Sequence, residues 1–190
     1  PDCTLQGFVI TRGRGAPAAI LCSGASPTIS NCLIVGNRCG APQGAAVTCT
    51  NSRAVFANCT ICNNYGGEHG AAVHVKDGRV LITDSIIRDN GFGSILVGSA
   101  GAISVNFSDV AGSWPGLGNI DAEPLVAAAG RWSDRNDPNI PRSPQDAQAV
   151  WIEETTTCGH RRAAGSPEHE VGCGTTPPAH ASTQETPTAP

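Results

Sequence analysis

The stretch "SPTISNCLIVGN", residues 26–37, alternates apolar and small polar residues as a half-buried strand does, yet it breaks at Asn31 and resumes at Cys32. The chain then reads "RAVFANCTICNN" at residues 53–64 and "RVLITDSIIRDN" at residues 79–90. Aligned on Asn31, one column runs Gly7, Asn31, Asn58, Asp84, Asn106. The next runs Phe8, Cys32, Cys59, Ser85, Phe107. Two residues further on come Ile10, Ile34, Ile61 and Ile87, with Asp109 breaking the set. A second block precedes each of the later lines: "GAPAAILC", "QGAAVTC", "HGAAVHV" and "FGSILV". From Asn31 and from Cys22 alike, the spacings are 27, 26 and 22 residues. Independent strands have no reason to share those intervals, so the two blocks belong to one repeat.

A period of this length with three short strands per turn predicts an all-β fold, a parallel β-helix of about four to five coils. Coils stack at about 4.8 Å, so like residues lie on like and fill a narrow interior with Ile, Val and Cys ladders. Asn31, Asn58, Asp84 and Asn106 fall where the chain bends. There they are expected to form a structural ladder, each side chain hydrogen-bonding the same position one coil away. The Leu-x-x-Leu-x-Leu signature of the competing leucine-rich repeat is absent, and the Gly, Pro and Thr content excludes an α-solenoid.

Composition agrees. With 23 Gly, 14 Pro and only 15% charged residues, the 190-residue chain suits short strands and tight turns. A net charge of −4 argues against a nucleic-acid partner. No apolar run approaches the roughly 18 residues of a membrane span. The chain opens at Pro1 inside a patterned segment, which reads as a fragment or processed piece.

"AAILCSGASPTISNCLIVGN" and its echoes resemble the repeats of right-handed parallel β-helix proteins of the pectate-lyase-like superfamily, closest to a secreted bacterial repeat type. The segment "VNFSDVAGSWPGLGNIDAEPLV", residues 105–126, is similar to the one that closes the helix in that group. The resemblance covers residues 3–126 well and 127–158 loosely. This chain uses Ala-Ala where the family has Gly-Gly.

Three regions follow: a β-helix over 1–126, an irregular capping extension over 127–157, and a disordered low-complexity tail over 158–190. The extension, with two Trp, is expected to drape over the open edge of the last coil. In the resembling proteins a Cys near this point is followed by Ile-Asp-Ala-Gly. Here Cys158 is followed by "GHRRAAGSPEHEVGC". A one-base frame slip would account for the difference, and so would a simply divergent tail.

Nine Cys are present. Parallel in-register strands point stacked sulfurs the same way, which favours buried thiols for Cys22 over Cys49 and Cys32 over Cys59. "CTIC" at Cys59–Cys62 is a CxxC by spelling only, since Cys59 faces inward. Cys158, His160, His169 and Cys173 would suit zinc by ligand type but not by spacing. No metal and no cofactor is expected.

The resemblance implies an active face on the first strand of each coil. Outward positions there are Leu21, Ser23, Thr48, Thr50, His74, Lys76, Leu96 and Gly98, none of them a carboxylate. The one polar cluster is "HVKDGR", so His74, Lys76 and Arg79 are the candidate catalytic residues, as base and charge neutraliser of a lyase. An exposed turn of mixed charge explains them too. Asp121 and Glu123 lie in the closing segment, where a structural role is expected; Trp114, Trp132 and Trp151 suit sugar stacking or capping equally. The expectation is a non-catalytic β-helix module, extracellular or at the cell surface, offering a weakly polar face to a polysaccharide or another surface protein. The alternative is a polysaccharide lyase.

Overall fold

The computed structural model describes residues 2–15, 18–39, 45–66, 72–124 and 130–153, and among these there is no helix. The tail readings, including Cys158, His160, His169 and Cys173, lie outside the described residues. The first coil carries β1 (Thr4–Gln6) and β2 (Val9–Thr11). The second carries β3 (Ile20–Ser23), β4 (Thr28–Ser30) and β5 (Leu33–Val35); the third β6 (Val47–Thr50), β7 (Val55–Ala57) and β8 (Thr60–Cys62). In the fourth, β9 (Val73–Thr83) runs through the first corner without a break and is followed by β10 (Ile86–Arg88). The fifth repeats this with β11 (Ile95–Asn106) and β12 (Asp109–Val110). Every pairing between coils is parallel. Strands β2, β5, β8, β10 and β12 make one face. The first and second strands of each coil make the other two, which β9 and β11 join into a single sheet. The result is a parallel β-solenoid of about four turns.

The interior is a set of ladders. Leu5, Ile29, Phe56, Ile82 and Val105 stack in register, as do Ile10, Ile34, Ile61, Ile87 and Val110. Ile34, Ile61 and Ile87 are wholly buried. At roughly 25 cal/mol per Å² of apolar area removed from water, such columns supply most of the drive for stacking. Cys22 lies opposite Cys49 with both thiols buried and reduced. Their shared hydrogen bond and burial push the Cys49 thiol well above its usual range, so it stays protonated and inert.

The corners differ from expectation in two ways. Ile95 lies opposite Val73, twenty-two residues back, but a register shift after Val97 places Ala100 opposite Asp77, twenty-three back. This bulge inserts one residue into the fifth coil. Asn106 therefore pairs with Thr83, and Phe107 takes the place above Asp84; Val110, not Asp109, continues the isoleucine column. Secondly, Asn31, Asn58 and Asp84 are exposed residues in the left-handed conformation, with φ of 52° each, and Phe107 follows at 50°. Their side chains do not form the ladder; they turn the corner, a task Asn and Asp tolerate better than most residues.

The ladder of asparagines stands at the next corner, at Asn37 and Asn64, both buried, and Asn90, which is half-buried. The backbone N–H of Asn37 and its Nδ2 donate to Asn64 Oδ1 at 3.0 and 2.9 Å. Asn64 donates likewise to Asn90 Oδ1 at 3.1 and 3.0 Å. Each Nδ2 also donates to the carbonyl two residues back: Val35, Cys62 and Arg88. Each follows a left-handed residue, respectively Gly36, Asn63 and Asp89. The same device recurs in smaller form where Cys32, Cys59, Ser85 and Ser108 donate to Ser30, Ala57, Thr83 and Asn106.

After the fifth coil, Phe107 N–H donates to Leu117 O and Val110 N–H to Ile120 O, so residues 117–120 lie along the last edge, and Trp114 packs against the core there. Arg88 binds Asp109 and Asp121 at 2.8 Å each and approaches Glu123 at 3.8 Å. The extension is not irregular throughout, nor does it drape over this end. β13 (Gly130–Asp134) and β14 (Ala149–Glu153) form an antiparallel hairpin. Trp151 and Trp132 pack on Val35, Cys62 and Leu33, the outward apolar residues of the second and third coils. Apolar area on that flank, rather than the open end, decides where the hairpin docks.

Candidate functional site

The corner at Gly78 separates the sequence-predicted cluster. His74 stands on the outward side of β9 between Thr48 and Leu96. Its Nδ1 is buried without a hydrogen-bond partner, and burial, with Lys76 adding to it, holds its pKa below the usual histidine range. The imidazole is therefore neutral at pH 7. Lys76 is exposed on the same strand. Asp77 accepts from the Asn51 N–H and ties two coils together. Gly78, at φ 92°, turns the chain so closely over the third coil that a Cβ would lie 2.3 Å from Ser52 O. No other residue fits there.

Arg79 lies past that turn and joins a different group. It lines a polar groove of about 430 Å³ with Ser26, Asn51, Ser52 and Arg53, floored by Gly24, Gly78 and Ala100. These residues come from four successive coils, so the groove follows the solenoid axis for roughly 14 Å at the ordinary strand spacing. The pairings of Val55 with Thr28 and with Leu81 set Ser26, Arg53 and Arg79 one above another. Both arginines are exposed, and neither pairs with a carboxylate among the described residues. Among the described residues the groove lining holds no Asp or Glu. Two arginines at successive coils of one column carry up to ten N–H donors between them. Such a site can bind acceptor-rich or anionic groups.

Sequence reasoning found Arg79 and missed Arg53. The signal was present: "RAVFANCTICNN" and "RVLITDSIIRDN" both begin with Arg, at the position Ser26 holds one coil earlier. Among the described residues no three His, Cys, Asp or Glu side chains gather as metal ligands, and no helix is long and apolar enough to cross a membrane.

A family model described as a right-handed beta helix region matches residues 2–110. Comparison with curated proteins, and separately with solved structures, gives no match. The matched span takes in all five coils, from β1 to β12. Its repeat, its parallel register and its stacked interior make this chain a member of the right-handed β-helix family.

Proposed function

We propose that the chain is a non-catalytic β-helix module of a secreted or cell-surface protein, and that its axial groove binds acidic polysaccharide. The observation that carries the reading is the register that sets Arg53 and Arg79 on successive coils of the groove, neither paired with a carboxylate among the described residues. Like charges one coil apart repel, and a polymer bearing regularly spaced carboxylates relieves that repulsion while filling several coils at once. Ser26 and Asn51 add short polar groups of the kind that meet sugar hydroxyls. A polymer of this kind is met outside the cell, which supports the location proposed.

A second reading, a polysaccharide lyase, draws on the neutral imidazole of His74, the form a base needs. Against it stands the corner at Gly78, which sets Arg79 apart from His74 and Lys76. Electrophoresis through gels with and without polygalacturonate tests both readings. Retardation of the parent, lost in Arg53→Ala and Arg79→Ala, supports the module. Ultraviolet absorbance from an unsaturated product, abolished by His74→Ala, would establish the lyase instead.

A further inference from the structure

The third coil carries a pattern that the groove does not use. Asn58, Cys59 and Thr60 read Asn-x-Thr with a middle residue other than Pro, the acceptor pattern for an N-linked glycan. The fold does not impose it. The same corner reads Gly7-Phe8-Val9 in the first coil, Asn31-Cys32-Leu33 in the second, Asp84-Ser85-Ile86 in the fourth and Phe107-Ser108-Asp109 in the fifth. A left-handed corner leading into a strand is thus built in four other ways. Thr60 faces outward between Leu33 and Ile86, where the neighbouring coils carry aliphatic side chains.

Geometry supplies the second observation. Asn58 is exposed, at the corner between β7 and β8, and its side chain makes no hydrogen bond among the described residues. The corner is held through the backbone, where the Asn58 N–H donates to Thr83 O at 3.2 Å. The Thr60 hydroxyl is likewise without a hydrogen bond among the described residues. Cys59 is buried beneath them, its thiol donating to Ile29 O and Ala57 O at 3.5 and 3.4 Å. On the adjacent coils Asn31 and Asp84 are exposed polar residues, so a substituent on Asn58 displaces no apolar contact there. The chain's other Asn-x-Ser/Thr pattern, Asn106-Phe107-Ser108, is already engaged. Asn106 Oδ1 accepts from the Leu117 N–H at 3.1 Å, and the buried Ser108 hydroxyl donates to Asn106 O at 2.8 Å.

We infer that Asn58 is an acceptor site for an N-linked glycan, a reading that rests on the extracellular location proposed above. The donor is an oligosaccharide carried on a lipid pyrophosphate, and a transferase of the secretory route catalyses the step. Asn58 Nδ2 bonds to the anomeric carbon as the anomeric C–O bond breaks. The lipid pyrophosphate leaves with that electron pair, and the amide proton passes to a base of the transferase. The product is a bulky hydrophilic group on the third coil. Asn58 and Arg53 stand at opposite ends of β7, so the glycan and the groove occupy different corners.

The test is expression of the full chain behind a cleavable secretion leader in a eukaryotic host, so that the leader supplies the location. Intact mass and peptide mapping are followed before and after an amidase that releases N-glycans and leaves an aspartate at the attachment point. Glycan is expected on most copies at Asn58 and on few or none at Asn106. Thr60→Val and Asn58→Gly should each abolish it in a chain that still folds, and Thr60→Ser should keep it. Neither of the first two removes a side-chain hydrogen bond found among the described residues, and glycine suits the left-handed corner. An unmodified Asn58 overturns the inference and leaves the proposed location standing. Equal occupancy of Asn58 and Asn106 overturns it too, since the pattern alone would then be acting. So does glycan at Asn58 confined to chains that fail to fold.

Discussion

Asn64 is buried, accepts two hydrogen bonds from Asn37 and gives its own to Ile34, Cys62 and Asn90. Asn58, six residues earlier, is exposed and matters through its backbone, at φ 52°. Asn64→Ala strands buried donors and acceptors on two neighbouring coils, and should cost about 3 kcal/mol or more. Asn58→Ala loses only the tolerance for the left-handed conformation, about 1 kcal/mol, and Asn58→Gly should be nearly neutral. Denaturant unfolding of the three variants checks the ranking. The sequence shows asparagine in both columns, because a left-handed corner and an internal ladder both select it. Periodicity alone cannot say which column turns inward. One hint was available: the lines at residues 26–37, 53–64 and 79–90 all end in Asn, whereas the other column drifts to Asp84. A position that tolerates Asp is a poorer candidate for donating an amide N–H.

At the scale of elements, the strands and their inward faces were legible because the alternation and the repeat interval agree. The bulge after Val97 was not, since a single inserted residue leaves no mark except the break at Asp109. Nor was the hairpin's seat, which depends on Leu33, Val35 and Cys62 gathering on one flank from different coils. Gly36 is the contact that fixes that seat. Its φ is 64°, and a Cβ there would lie 2.1 Å from Trp151 Cγ. Gly36→Ala should therefore lift the hairpin, shifting tryptophan emission to the red while the far-ultraviolet circular dichroism of the coils persists. The left-handed strain adds about 1–2 kcal/mol. At the other end, the hydrogen bond from Arg88 holds the Asp121 pKa below the usual carboxylate range, with Ser113 assisting. A folded pKa below the unfolded one means stability present above the unfolded value and lost as pH falls toward the folded one. The segment 117–121 should hence loosen below about pH 4, seen as faster hydrogen exchange at the Val110 and Ile120 amides. In Asp121→Asn that acid-induced step should disappear.

At the scale of the whole molecule, the solenoid converts a repeat in sequence into a column in space. That is why two arginines twenty-six residues apart come to lie on adjacent coils. The fold was readable from the intervals, but the groove was not, because it belongs to a corner and takes its members from four coils. His74 and Lys76 were readable as polar residues on the outward strand, and Thr48 and Leu96 flank His74 on the adjacent coils. The central claim is that the paired arginines bind acidic polysaccharide. Isothermal titration of a polygalacturonate oligosaccharide into the chain, with the Arg53→Ala/Arg79→Ala double variant as comparison, tests it most directly. Saturable heat is expected for the parent, with affinity that weakens with added salt and falls by at least about tenfold in the variant. Equal binding by the two proteins, or none by the parent, would contradict it.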